Sequence, residues 1–518
     1  MIFNQCLSFC VKPLRSVVKR RYISLLMAVS LSACQTIPLD TPDTQQIIPM
    51  DWPKELLQSG TTGVNPQHLA WWDYFRDPML RQVISDALAY NRDLRMAVLR
   101  VAEAEAMLQL RRSDLWPTVG ADGQASRRAI PAELSPTGAS QIGAEYGLMI
   151  GVNSWELDLW GRIRHLKDAA LEEFLAGSYA QHVVQAGLIA EVARAYLSLQ
   201  TLDEQIDVVQ KSIISRQESY RIFKRRYEVG ASSLLELTQV ETLLMQARVL
   251  LSQLQQQRQD LLNSFVVLVG KPVNSISQGL ITKASYPSGG AVDTTFGPIS
   301  LALPSEVLLQ RPDIVAAEHR LRAAKANIEA ARAAYFPRIA LTAGAGTASA
   351  QLSGLFDGGS GTWLFSPVIS LPLFDGGARA ANLQASKVRA QMAITEYEKA
   401  IQQAFREVAD ALNQRLRLQE QVHLGQRVVQ IQQERARLAQ LRYDSGAVSY
   451  LDVLDAQREL LSARQQLARD QGGLRLSEVA LYSALGGGTQ VASDYLLSGA
   501  ATPHHAQSDQ SVSQDVTY

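Results

Sequence analysis

One stretch of this chain carries an apolar seam too long for any compact domain. Leu188, Val192, Ala195, Leu199, Leu202, Ile206, Val209, Ile213, Arg216, Tyr220, Phe223 and Tyr227 recur in unbroken steps of four and three. That is a heptad pattern, which imposes a left-handed supercoil, and Arg216 is its one polar interruption. No Pro occurs between Arg162 and Gly230, and Gly177 and Gly187 are the only glycines inside that span. The pattern therefore predicts a single helix of about 67 residues, extending about 100 Å. Gly230-Ala231-Ser232-Ser233 then supplies a helix stop followed by N-caps, and a second apolar pattern from Leu234 returns to Gly270-Lys271-Pro272. A long antiparallel helical hairpin results.

The arrangement occurs twice. Tyr227, Gly230, Ala231, Ser233, Leu235 and Leu244 match Tyr443, Gly446, Ala447, Ser449, Leu451 and Leu460 at one constant spacing, and Asp93, Ala97, Arg100, Arg112 and Pro117 match Asp313, Ala317, Arg320, Arg332 and Pro337 at another. Each half reads short helix, Pro, strand, loop, strand, long helix, Gly turn, long helix. The second long helix, about Gly377 to Tyr443, has a weaker seam with Gly425 inside it.

Four stretches alternate with period two, as lipid-exposed barrel strands do. They are Thr118 to Ser126, Tyr146 to Asn153, Ile339 to Gly346 and Thr362 to Leu371. Four strands cannot close a barrel, and an open edge in hydrocarbon leaves backbone amides unpaired at several kcal/mol each. Closure must come from other chains: two copies would give eight strands and a filled interior, three would give twelve and a pore.

The balanced charge, 50 Lys+Arg against 50 Asp+Glu, speaks against a nucleic-acid partner, which needs a basic excess. It also hides a processing event. Lys12, Arg15, Lys19, Arg20 and Arg21 precede the short apolar run Ile23 to Leu31, which ends in Leu31-Ser32-Ala33-Cys34. That order is basic, apolar, small, as in a secretory signal over residues 1–33. Its end resembles the bacterial lipobox, whose Cys is acylated. Cleavage before Cys34 shifts the net charge to about −5, and Gln35 in the following position points to the outer membrane. No later uncharged run is long enough for a spanning helix.

These residues resemble the TolC-like outer-membrane efflux factors, and within them the NodT-type lipoproteins that serve resistance-nodulation-division (RND) pumps. The likeness rests on Leu303-Pro304-Ser305 with Arg311-Pro312-Asp313-Ile314, on the strand exits Trp155 to Arg162 and Pro372 to Gly377, on Tyr450 to Gln457, and on Trp71-Trp72 with Asp77-Pro78. It implies a mixed, mainly α fold with a membrane β-barrel: four strands per chain completing a trimeric twelve-stranded barrel, and long antiparallel coiled-coil helices forming a periplasmic tunnel. It divides the chain into a signal peptide (1–33), a lipidated N-terminal arm (34–77), repeat 1 (78–270; strands about 118–157, hairpin about 162–269), an equatorial linker (271–303), repeat 2 (304–486; strands about 338–373, hairpin about 377–485) and a polar tail (487–518). The partners it implies are two further copies, outer-membrane lipid, a periplasmic membrane-fusion adaptor and an inner-membrane RND transporter.

A duct of this kind must open and close at the Gly turns, the helix ends farthest from the strands. Asp452 and Asp455 lie three apart and so share a helix face, which a threefold axis would turn into carboxylate rings. The resemblance places acids of this motif at the periplasmic constriction, and that role passes by motif position to Asp452 and Asp455. Tyr443 and Glu236, the first-repeat counterpart of Asp452, are candidate closing contacts, with Gly230 and Gly446 as the helix-tip turns. Where some relatives carry a basic residue in the second turn this chain has Val448, so closure rests on packing and hydrogen bonds. Alternatively, the carboxylates merely solvate a helix end and complement its dipole.

Chemical motifs are missing from the sequence. Gly270-Lys271 lacks the upstream Gly of a phosphate loop, and Gly344 with Gly346 lacks the third Gly of a dinucleotide turn. The seven His show no metal-ligand spacing, and no Gly-x-Ser-x-Gly elbow occurs. The expectation is a passive export duct for drugs or other small toxic compounds, with no enzyme activity, no cofactor and no metal. The alternatives are a duct for a metal-efflux or type I secretion system, and a lipid-anchored coiled-coil scaffold with no pore.

Overall fold

The structure is a computed structural model that describes residues 69–136, 138–271, 296–299 and 305–489. The signal segment, Cys34, most of the linker and most of the C-terminal tail lie outside the described residues. In chain order the elements are α1 (Trp71–Tyr74), α2 (Pro78–Tyr90), α3 (Arg92–Ser113), β1 (Val119–Ile130), β2 (Gln141–Glu156), α4 (Arg162–Glu228), α5 (Leu234–Val269), α6 (Pro312–Ala333), β3 (Arg338–Ser349), β4 (Gly361–Ser370), α7 (Ala378–Asp444) and α8 (Tyr450–Ala484). Helices α4 and α7 each contain 67 residues, hence about 100 Å apiece.

The heptad seam buries as its spacing requires. Leu188, Val192, Leu199, Val209, Ile213 and Phe223 are all buried, while Tyr227 at the tip is exposed. Local signals set the ends of the shorter helices. Asp77 caps α2, its carboxylate accepting from the amides of Met79 and Leu80, with Pro78 in the first turn. Asn91 caps α3 and also donates from its amide to the Leu268 carbonyl at 2.8 Å, tying α3 to the end of α5. There Gly270 has φ +77, and a Cβ on it would stand 2.3 Å from the Tyr90 carbonyl oxygen. Only Gly fits both demands.

The strands form one antiparallel sheet in the order β1-β2-β3-β4, with β1 and β4 at its edges. Registers such as Ala121 opposite Ile150, Ile150 opposite Ala345 and Ala345 opposite Trp363 put most of the bulky apolar residues on one face, with Met149, Leu364 and Val368 on the other. Asp122, Gln124 and Ser126 share that second face, where Asn153 donates to Asp122 at 3.0 Å. β1 runs four residues further than alternation predicts, through Arg127 and Arg128 to Ile130, because pairing with β2 continues after the apolar-polar rhythm stops. A bulge between Val152 and Trp155 contains Ser154, the one described non-Gly residue with positive φ, at 53°. Among the described residues no helix is long and apolar enough to cross a membrane.

Each strand pair is joined to its long helix by the same device. Gly161 and Gly377 turn the chain with φ of +79 and +88, and Asp158 and Asp375 accept from the first free helix amides. Burial pushes the Asp158 carboxyl up, but the amides of Arg164 and Ile163 and the Arg164 side chain outweigh it and hold it low. Glu156 collects Arg162 at 2.8 Å and Arg338 at 2.7 Å, joining the end of β2 to α4 and β3.

The main core lies where the two halves meet, away from both sheet and tips. Leu80, Ile84, Val192, Leu197, Phe265, Ile314, Ile401, Val408, Val479 and Tyr482 come together there from six helices. The N-terminal aromatics complete it: Tyr74 stacks on Tyr482 at 4.1 Å and donates to the Glu478 carbonyl at 2.9 Å. Arg311, which precedes α6, is buried and reaches Asp313, Glu407 and the Ala484 carbonyl, so it pins three helices. Gly486, Gly487 and Gly488 are buried, which brings the start of the expected tail into this core.

Candidate functional site at the helix tips

The two hairpin turns have one geometry. Gly230 and Gly446 adopt φ of +76 and +75 with nothing within 4 Å of a built Cβ, so these glycines serve backbone conformation alone. In each turn the next amide returns to the last helical turn: Ala231 to Arg226 at 2.7 Å and Ala447 to Arg442 at 2.8 Å. The following helix starts differently in the two halves. Ser233 and Glu236 form a capping box at the start of α5, and Glu236 also accepts from Ser232 at 2.7 Å. The Ser232 hydroxyl and the Ser233 amide hold the Glu236 carboxyl below its ordinary range. At the start of α8, Ser449 makes no side-chain cap bond to the backbone, and its hydroxyl stands 3.5 Å from Asp452.

An aromatic clasp joins the two hairpins just above the turns. Tyr450, in the first turn of α8, packs on Phe223 of α4 at 4.3 Å and meets Tyr443 edge-on at 4.9 Å. Its hydroxyl donates to Ser219 at 2.8 Å, and burial pushes the phenol pKa up. Leu237, Val240, Val453 and Leu454 surround this contact. On its exposed side the Arg226 guanidinium donates to the Tyr443 hydroxyl and lies 5.6 Å over the Phe223 ring.

The tip residues singled out from sequence are not all gathered into one site. Tyr443 belongs to the clasp. Asp455 accepts from Arg435 at 2.7 Å and is also paired with Arg458, and it lines a groove against α5 with Thr238 and Leu243. Asp452 instead lines a groove of about 580 Å³ on α7, with Arg427, Glu434, Arg435, Arg442 and Val448. Its carboxylate has no basic partner among the described residues. Glu236 is engaged in its own cap. Sequence reading passed over Arg226, Ser219 and Arg435 and took Phe223 only as a seam position; the one available signal was that Arg226-Tyr227 and Arg442-Tyr443 repeat as a pair, marking the last helical turn as a recurring unit.

A sheet with two free edges, mounted on two long hairpins that meet at polar tips, defines a subunit that must pool its strands with others. The family described as Outer membrane efflux protein matches residues 83–271 and 303–487, and the chain belongs to that family. It is 42% identical over 478 residues to the toluene efflux pump outer membrane protein TtgF of Pseudomonas putida, covering 91% of this chain and 97% of that one. It is 36% identical over 474 residues to the cation efflux system protein CusC of Escherichia coli, covering 91% and 99%. Among solved structures, the open state of the Neisseria gonorrhoeae MtrE outer membrane channel superposes with a TM-score of 0.73 at 35% identity, covering 83% of this chain and 94% of that one.

Proposed function

We infer that this chain is the outer-membrane duct of a tripartite efflux pump: three copies close a twelve-stranded barrel, and their paired helices prolong it through the periplasm. The observation that carries this reading is the four-stranded sheet whose edges β1 and β4 are both unpaired, next to helices of about 100 Å. Hydrocarbon does not tolerate such edges, so further copies must pair them. Three copies give a lumen, whereas two would fill it with side chains. The polar sheet face, with Asp122, Gln124 and Ser126, then lines the lumen, and the face with Trp363, Phe365 and Ile369 meets lipid.

The duct does no chemical work, and an inner-membrane RND transporter coupled through a periplasmic adaptor drives export. The cargo is small and toxic; likeness to the toluene pump component favours apolar compounds, and likeness to the cation system component gives metal ions as the second reading. Opening and closing take place at the tips, where Asp452 presents carboxylate to the lumen, Tyr443 holds the hairpins together, and Asp455 and Glu236 brace their helices. Cys34 carries acyl chains that add a lipid anchor. Reconstitution tests the whole: the purified chain runs as a heat-modifiable trimer and passes ions across a planar bilayer. A monomer that passes no current overturns the reading.

A further inference from the structure

The apolar sheet face is interrupted once by a charge. Val119, Ala121, Ala125 and Ala129 of β1 share their face with Val152, Ile150, Tyr146 and Ile142 opposite them on β2, and pairing continues it to Trp363 and Phe365 of β4. Arg127 occupies this face by the same alternation, opposite Ala144, whereas Arg128 falls on the polar face with Gln124 and Ser126. Arg127 is exposed, and among the described residues its side chain makes no hydrogen bond or ion pair. Its nearest neighbours on the face are small, Ala125, Ala129 and Ala144, with Tyr146 one diagonal step to one side and Ile142 one diagonal step to the other. Arg127 thus rises from a row of alanines flanked by Tyr146 and Ile142.

Height identifies what covers it. From Val119, at the helix end of β1, to Arg127 is about 26 Å along the strand at roughly 3.3 Å per residue, or about 20 Å across the membrane at the tilt of such barrels. That is about 5 Å short of the far edge of an apolar band about 25 Å tall, a gap that the long arginine side chain spans by extending its charged head toward the interface. On the duct reading, on which this step rests, the helices point into the periplasm, so Arg127 meets the outer leaflet at headgroup depth. In an outer membrane that leaflet is phosphorylated glycolipid, and guanidinium pairs with phosphate through paired N–H donors. We propose that Arg127, with Tyr146 one diagonal step away, is a binding site for the phosphate of an outer-leaflet lipid A glycolipid, one site per copy around the barrel.

Native mass spectrometry of the detergent-solubilised protein, titrated with bisphosphorylated lipid A, dephosphorylated lipid A and phosphatidylglycerol, tests the site. Wild type retains bisphosphorylated lipid A and loses the dephosphorylated form. Arg127→Ala weakens retention by about tenfold, the order expected for one charge-assisted pair. Arg127→Lys restores part of it, and Arg128→Ala, which removes the same charge from the other face, leaves it unchanged. Heat-modifiable mobility shows that each variant is assembled. Equal retention by wild type and Arg127→Ala, equal loss in Arg127→Ala and Arg128→Ala, or equal retention of phosphatidylglycerol overturns the proposal. A wild type that conducts but holds no lipid A removes the site and leaves the duct; one that neither assembles nor conducts removes both.

Discussion

At the residue scale, Arg216 shows how a polar break in an apolar seam is tolerated. It is only 4% exposed, its Nη1 donates to the Leu243 carbonyl at 2.6 Å, and its Nε and Nη2 have no partner among the described residues. Burial alone lowers its pKa. A desolvated cation without a counter-charge costs stability, so Arg216→Met, which fills the same seam position, raises the unfolding free energy by roughly 1–3 kcal/mol. Thermal melting checks this, and a lowered midpoint would count against it. The tip carboxylates yield a second expectation. Spacing puts Asp452 and Asp455 on one helix face, but spacing says nothing about Arg435 and Arg458, which already neutralise Asp455. Asp452→Asn therefore shifts the reversal potential of single channels toward anions more than Asp455→Asn does. Equal shifts would show that the Asp455 pairs open in the assembled pore.

At the element scale the helix ends divide by what their glycines face. Gly446 needs only left-handed backbone, so Gly446→Ala costs about 1–2 kcal/mol of strain. Gly270 needs that conformation and also meets the Tyr90 carbonyl, so Gly270→Ala costs more and lowers the melting midpoint further. The Gly turns and the Ser233 cap were readable in sequence because they act locally. The close approach at Gly270 was not, because Tyr90 is far away in the chain. Strand ends were legible only where alternation lasted, which is why β1 overran its expected end at the two arginines. Local chemistry also sets the pH behaviour of the first tip. Glu236 has its folded pKa depressed by Ser232 and Ser233, so its contribution is present above the ordinary carboxylate range, about 4.3, and fades as pH falls through the depressed folded value. Amide exchange at the start of α5 accelerates in that acid window in wild type, and Glu236→Gln flattens the dependence.

At the scale of the whole molecule, sequence and structure constrain different things. Helix length, the strand count and the twofold repetition followed from patterns along the chain, and they already demanded partner copies. The main core did not, because Tyr74 finds Tyr482, and Arg311 finds Glu407 and the Ala484 carbonyl, only through tertiary packing. This division bears on the proposed anchor at Cys34. An acyl chain contributes reversible membrane affinity, whereas a closed barrel satisfies every strand amide inside hydrocarbon and cannot leave without exposing them. If closure supplies the anchorage, Cys34→Ser abolishes incorporation of a fatty-acid label and lowers the mass by the acyl groups, yet the variant still fractionates with the outer membrane, assembles as a trimer and conducts. Release of that variant into the soluble periplasmic fraction would mean that lipid rather than sheet holds the protein in place, and the barrel would have to be abandoned.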